Sequence, residues 1–422
     1  MIFLKYKNAV ITVFVVFSLI SCNEEFEVNS SYFLPVNLEN KTLVYKGEKA
    51  GDFKAVNKNI DWDAVENLII EGHINHKDLY QIRNQARLNN SNVKSLDFKN
   101  ADVLEGFFPD NLFSRNEQLM RFVYPRKIMR TGDFVYDKSF NLSELIIPEE
   151  VEILGGGVFY EVSFDLYNNK TPMAKNKYTI PLMVKELGIS CFSNYPYKTL
   201  NIPDGVEKLG AGCFTDSKLE YLSIPPKVSI IPNSLFYNCK NLKNVKLHNN
   251  VKEIQDDAFS GSGIEELIMP TSINAVGKRF IKNTPNLKKI QWSPNISELT
   301  DEVLAGIDME EFYLPSNITS LGRHCFKDAK TKRYYFHENV NSLGEGLFNF
   351  EISTTIFYME ELHVKWQSPP AVGKTFEATV DFGNIKNSPP NLAQIKLYVP
   401  KGTKAAYQNA KGWKNFGAII EQ

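Results

Sequence analysis

No charge of either sign dominates this 422-residue chain. Its 48 Lys and Arg stand against 49 Asp and Glu, for a formal net charge of −1, so there is no electrostatic reason to seek nucleic acid. Cysteine is scarce: the five present form no CxxC pair and have no His-flanked spacing, which leaves a zinc site without support. A GxSxG elbow, an HExxH helix and a non-repeating insert with paired carboxylates are all missing. The chain therefore reads as no enzyme, with no cofactor and no metal. Beyond residue 20 no stretch approaches the apolar length of a membrane span. What is present, 12% aromatic and 23% charged residues, fits a folded body of two or three ordinary domains or one extended array of repeats.

The N-terminus stands apart. Lys5 and Lys7 precede an apolar run from Ala9 to Ile20, too short for a permanent span and suited to a signal h-region. "LISC", Leu19 to Cys22, then resembles the lipobox of bacterial lipoproteins, which implies residues 1–21 as signal peptide and Cys22 as the lipidated first mature residue. Acyl chains contribute about 0.8 kcal/mol per buried CH₂, so several would anchor the chain stably. Asn23, Glu24, Glu25 and Glu27 follow. This acidic cluster resembles the signal that sends lipoproteins of anaerobic gut and oral bacteria to the outer face of the outer membrane, and it equally suits a solvated tether. The expectation is a lipid-anchored, surface-exposed outer-membrane protein.

The body repeats itself. "IPDGVEKLGAGCF" at 202–214 is followed by "IPPKVSIIPNSLF" at 224–236, keeping Ile, Pro, Val, Ile and Phe while losing the glycines. Taking the aromatic that closes each unit gives Phe113, Phe134, Phe159, Phe192, Phe214, Phe236, Phe259, Phe280, Leu304, Phe326 and Phe348, with gaps of 21, 25, 33, 22, 22, 23, 21, 24, 22 and 22 residues. The period is near 22, with a polar, turn-rich insertion at 161–180. Proline stands eleven residues before the aromatic at Pro148, Pro181, Pro203, Pro225 and Pro315; Pro270 is one residue off, and His248 and His337 take the same slot. Those histidines are place-holders in a frame, not ligands.

Within "LKNVKLHNNVKEIQDDAF" (242–259), Val245 and Leu247 alternate around Lys246, the mark of a short strand with one buried face. Val251, Ile254, Ala258 and Phe259 return to the interior at the irregular spacing of a coil. One such unit buries too little to order itself, so the units must stack into a solenoid with a parallel sheet along one side.

Units of this form, as in "LEYLSIPPKVSIIPNSLFYNCKNL" (219–242) and "LNIPDGVEKLGAGCFTDSKL" (200–219), resemble the BspA-like, or treponemal-type, leucine-rich repeats of surface lipoproteins of anaerobic bacteria. The resemblance implies an α/β-type repeat solenoid with mostly coil and turn returns and short helical caps. The parts expected are a tether and N-terminal segment at 22–58, a capping repeat at 59–105, an array at 106–350 and a degenerate repeat with its cap at 351–422. Leu304, the degenerate "QWSPNISEL" and the 161–180 loop depart from the family pattern. In the cap, Tyr407, Trp413 and Phe416 have roughly helical spacing, as for a helix that covers the open edge of the last repeat.

Other conspicuous residues have structural readings. Gly155, Gly210, Gly277 and Gly322 fall where a tight turn would need positive φ, not in phosphate-loop spacing. Cys191, Cys213 and Cys325 occupy the small-residue slot before the closing aromatic, and Cys239 a core-facing one. Stacked neighbours such as Cys191 and Cys213 would come within disulfide range of about 4.4–6.8 Å between Cα atoms, though packing is the default. His73 and His76 have no second pair to complete a metal site.

What remains is the face each strand turns to solvent, read as one continuous surface from Arg121 and Val123 through Thr199 and Asn201 to Arg333 and Tyr335. The candidate ligand-binding residues on it are Tyr221, Lys246, Lys289, Gln291, Glu311, Tyr313, Arg333 and Tyr335, with the patch from Tyr313 to Tyr335 preferred because Tyr and Arg are enriched at binding hot spots. The resemblance implies adhesion, with a protein or glycan partner such as host matrix or another bacterial surface. The alternative is an accessory envelope lipoprotein supporting a polysaccharide-handling or other membrane complex.

Overall fold

A computed structural model of the chain describes residues 33–37, 39–56, 60–87, 92–139, 141–160, 180–351, 358–377, 387–388 and 391–422. The N-terminal apolar run, Cys22 and positions 161–179 of the insertion lie outside the described residues.

Most units contribute two short strands, not one. Asn244–Lys246 pairs in parallel with Tyr221–Ser223, and, nine residues on, Glu253–Ile254 pairs in parallel with Ile230–Ile231 and Ala275–Val276. A strand two residues long has no alternation to read, which is why the sequence showed only coil there. Between the two columns Leu242, Val245, Val251, Ile254, Ala258 and Phe259 fill the interior, each at most 4% exposed.

A left-handed turn sets the frame. Ser234, Asp257, Arg279, Glu302 and His324 all have φ between 53° and 56°, and the residue two positions on is the one driven into the core. Its N–H donates to the next coil, as from Phe236 to the Ala258 carbonyl (2.7 Å) and from Leu304 to the Cys325 carbonyl (3.0 Å). By this rule two units close on residues other than the aromatics chosen from sequence. Phe134 is itself the left-handed residue (φ 49°) and only half-buried, while Tyr136 takes the core position. Phe280 stands in the slot of Ala258, and Ile281 closes the unit. The spacings 21, 25, 21 and 24 become 23, 23, 22 and 23, and Pro125 and Pro270 fall into the proline slot.

The glycine expectation is also corrected. Gly155, Gly210, Gly277 and Gly322 are not at positive φ; the left-handed turn comes two residues later, at Gly157, Gly212, Arg279 and His324. What Gly210 answers is close approach: a Cβ there would lie 2.3 Å from the Gly188 carbonyl carbon of the preceding coil.

The solvent-facing strands fall into three sheets. The first runs through Phe33–Asn37, Thr42–Gly47, Asn67–Ile74, Ser95–Val103, Arg121–Val123 and Glu144–Ile146; the second through Tyr221–Ser223, Asn244–Lys246, Glu266–Ile268 and Lys289–Gln291; the third through Glu311–Tyr313, Arg333–Phe336, Glu361–Val364, Lys396–Val399 and Ala418–Glu421. The continuous surface read from sequence is therefore interrupted twice. Thr199 and Asn201 lie in no strand, and the strand slot before Pro181 falls outside the described residues. The second break separates Gln291 from Glu311, where "QWSPNISEL" puts Trp292 after the strand and Ser293 in the proline slot. Val123 is buried at 2% exposure and not outward. The first sheet begins at Phe33, inside the stretch assigned to the tether.

Polar anchors hold the segments on either side of the array. In the helix His76–Arg87 the buried Asp78 carboxylate accepts from the backbone N–H groups of Gly51 (2.6 Å), Phe53 (3.1 Å) and Asn75 (3.0 Å), so a charge 1% exposed is satisfied. At the C-terminus Tyr407 donates to the Trp366 carbonyl (2.9 Å) and the Trp413 indole to that of Pro370 (2.8 Å). These aromatics plug the interior of the last turns, while Ala418–Glu421 is the final strand of the sheet.

Candidate binding face

Four of the five strands of the third sheet share a pattern: "EFYL" from 311, "RYYF" from 333, "ELHV" from 361 and "KLYV" from 396. Each reads charged, apolar, aromatic, apolar. Period-two geometry turns the second residue inward, and Phe312, Tyr334, Leu362 and Leu397 are all buried. Parallel pairing in register then lines up the others across the sheet. Glu311, Arg333, Glu361 and Lys396 form one column, and Tyr313, Tyr335, His363 and Tyr398 the next.

The aromatic column is a continuous pile of four rings. Centroids are 4.3 Å apart for Tyr313 and Tyr335, 4.4 Å for Tyr335 and His363, and 4.2 Å for His363 and Tyr398, with planes tilted by 5°, 21° and 1°. The strand spacing of about 4.8 Å is what brings successive rings into contact. His363 is further held by Glu361 (3.2 Å) and Gln422 (3.0 Å).

The charged column alternates in sign. Arg333 donates to Glu311 (2.8 Å) and Glu310 (3.0 Å), and Lys396 lies 3.5 Å from Glu361. Tyr313 donates its hydroxyl to Glu311 (2.7 Å). Bonds from Tyr313 and Arg333 hold the Glu311 carboxyl below the usual range, and the same carboxylate pushes the Tyr313 phenol up to about 12. For Glu361, burial pulls upward, but the bond from His363 and the charge of Lys396 outweigh it and leave the carboxyl lowered.

Of the sequence-predicted residues, the structure brings together Glu311, Tyr313, Arg333 and Tyr335. Tyr221, Lys246 and Gln291 stand on the second sheet, opposite Asn244, Ser223 and Ile268, and do not join the ladder. Lys289 pairs with Glu266 and lines the groove at the second sheet break, a cavity of about 510 Å³ whose other walls include Trp292, Pro294, Glu311, Tyr313 and Pro315. His363 and Tyr398 were missed. The recurring charged–apolar–aromatic–apolar quartet could have found them, had residues 351–422 been aligned to the array and not set aside as a cap.

The other residues weighed from sequence have structural partners. His248 and His337 stand in the proline slot and bond through Nε2 to the carbonyls of Pro225 (2.7 Å) and Pro315 (2.8 Å). His73 pairs with Asp102 (2.9 Å), whereas His76 meets the Phe107 carbonyl (3.0 Å). Cys191, Cys213, Cys239 and Cys325 are buried free thiols, so Cys191 and Cys213 are not bridged.

Among solved structures the chain is similar to a leucine-rich repeat protein from Bacteroides ovatus (16% identity, TM-score 0.40, covering 63% of this chain and 83% of that one). It is also similar to the pneumococcal vaccine antigen PcpA (15%, 0.45, 85% and 79%) and to a leucine rich cell surface protein from Faecalibacterium prausnitzii (13%, 0.37, 96% and 95%). No curated protein matches it. The profile of the BspA type leucine rich repeat region matches in six copies over residues 59–165, 165–288 and 274–365. Covering more than half of the sequence, that match makes this chain a member of the BspA-type leucine-rich-repeat family, an interaction fold.

Proposed function

We propose that this chain is a lipid-anchored adhesion or interaction protein of the outer membrane, exposed at the cell surface, which binds a protein or glycan ligand through the exposed face of its third sheet. The observation that carries the reading is the ring ladder from Tyr313 to Tyr398, because four aromatic side chains on an outward sheet face form a rigid contact surface with little entropy left to lose on binding. The lipobox ending at Cys22 supports the anchor, and the acidic cluster behind it supports the surface location.

Labelled matrix proteins and glycans are presented to whole cells displaying either the native chain or the triple variant Tyr313→Ala, Arg333→Ala, Tyr335→Ala. Binding to the native chain and its loss in the variant are expected; undiminished binding by the variant overturns the assignment of the face. Cys22→Ser releases the chain from the membrane fraction, and protease shaving of intact cells removes the native protein.

A further inference from the structure

The groove at the second sheet break has a property the rest of the face lacks. Within the pile, Tyr335 and His363 have both ring faces covered and offer a ligand only their edges. Tyr313 ends the pile. One of its faces lies on Tyr335, and the ring, 62% exposed, lines the groove toward Lys289 and Trp292. The second and third sheets stop on either side, so strand edges flank this cavity in place of a closed ladder. Its volume of about 510 Å³ falls in the range of about 300–1,000 Å³ typical of ligand sites.

The charges around it are already satisfied. Lys289 pairs with Glu266, Lys288 with Glu265 (3.8 Å), Glu311 with Arg333 (2.8 Å) and Lys332 with Glu310 (3.2 Å). An ionic partner would have to compete with each of these pairs, whereas a neutral ligand needs to break none. What the groove offers is a flat aromatic face, apolar walls from Trp292, Pro294 and Pro315, and polar groups at the rim.

We propose that this groove binds one sugar ring of a neutral polysaccharide. The apolar C–H face of a pyranose lies on Tyr313, whose ring face is electronegative and attracts polarised C–H bonds. The equatorial hydroxyls then reach Lys289 and the Glu311 carboxylate. This rests on the reading of the third sheet as the binding face and names the ligand class at its end.

The test uses the full-length chain in detergent, run through native gels containing β-glucan, α-mannan, xylan or galactan. At least one polysaccharide slows the native chain. The retardation persists from about 0.1 M to about 1 M salt, across which the screening length falls from about 10 Å to about 3 Å. Tyr313→Ala weakens it by about tenfold or more, Tyr80→Ala, at an exposed ring on the helix His76–Arg87 outside the binding face, leaves it unchanged, and circular dichroism shows both variants folded. No retardation by any of the four, retardation lost at high salt, or retardation kept by folded Tyr313→Ala overturns the inference. If polysaccharides fail while a protein ligand still binds the native chain and not the triple variant, the inference falls and the binding face stands.

Discussion

Tyr313 and Tyr335 occupy paired positions on neighbouring parallel strands and lie face to face, with centroids 4.3 Å apart and planes tilted by 5°. Tyr335 also stacks on His363, so one side chain holds two contacts of the pile. Aromatic pairs contribute about 0.5–1.5 kcal/mol beyond the area they bury. Tyr335→Ala is therefore expected to lower stability by about 1–2 kcal/mol, while Tyr221→Ala, at a 52% exposed ring outside the pile, changes it by less than about 0.5 kcal/mol. Scanning calorimetry of the two variants checks this; equal shifts would show that the pile adds nothing to the fold.

The Glu311 carboxylate keeps the Tyr313 phenol protonated up to about pH 12. Because the folded-state value is raised above the ordinary one near 10, the stabilising effect is complete below that ordinary value and is lost as pH rises through about 12. Glu311 has the opposite sign: its folded value is lowered, so its contribution is present at neutral pH and disappears on acidification. In Glu311→Gln one tyrosine is expected to ionise earlier in an alkaline ultraviolet titration than in the native chain. Superimposable curves would show that the hydroxyl is not held by the carboxylate in solution.

Within the core, Phe159, Phe192, Phe214, Phe236 and Phe259 stack in sequence with centroids 4.7–6.0 Å apart. Phe236 is fully buried between two such neighbours. Phe236→Ala is expected to cost about 3–5 kcal/mol. Phe134→Ala should cost much less, although the sequence placed both in one slot, because Phe134 is a half-buried turn residue. Comparing the two by urea unfolding tests the corrected register directly; similar losses would restore the original one.

These residues also show where the sequence was legible and where it was not. The 22-residue recurrence of Ile, Pro, Val, Ile and Phe is a packing constraint repeated along the array, so the fold, most strands of the outward face and the outward pairs Glu311 with Tyr313 and Arg333 with Tyr335 could be read directly, while the two-residue strands of the second column could not. Register failed at Phe134 and Phe280, because the frame is set by backbone turns at Phe134 and Arg279, which carry no distinctive residue type. The sheet breaks were invisible, since pairing depends on what the neighbouring unit supplies and not on the strand itself. His363 and Tyr398 were missed because 28 residues separate Arg333 from Glu361 and 35 separate Glu361 from Lys396; the period lapses while the register in space does not.

The four core cysteines give a last test, of how tightly the coils close. Cys191, Cys213, Cys239 and Cys325 are free and each 0% exposed. Burial disfavours the thiolate and raises all four, Cys213 and Cys239 to about 12. A raised folded-state value means that stability from these groups is complete below the ordinary thiol range and is lost as pH climbs through about 12. In a Cys22→Ser variant no thiol should react with an aromatic disulfide reagent at pH 8 under native conditions, and all four should react in denaturant. The Cys239 thiol, which donates to the Phe214 carbonyl (2.9 Å), should open only with the array. Rapid native labelling of any of the four would mean that the coils around it separate locally, and that the solenoid is looser there than its packing implies.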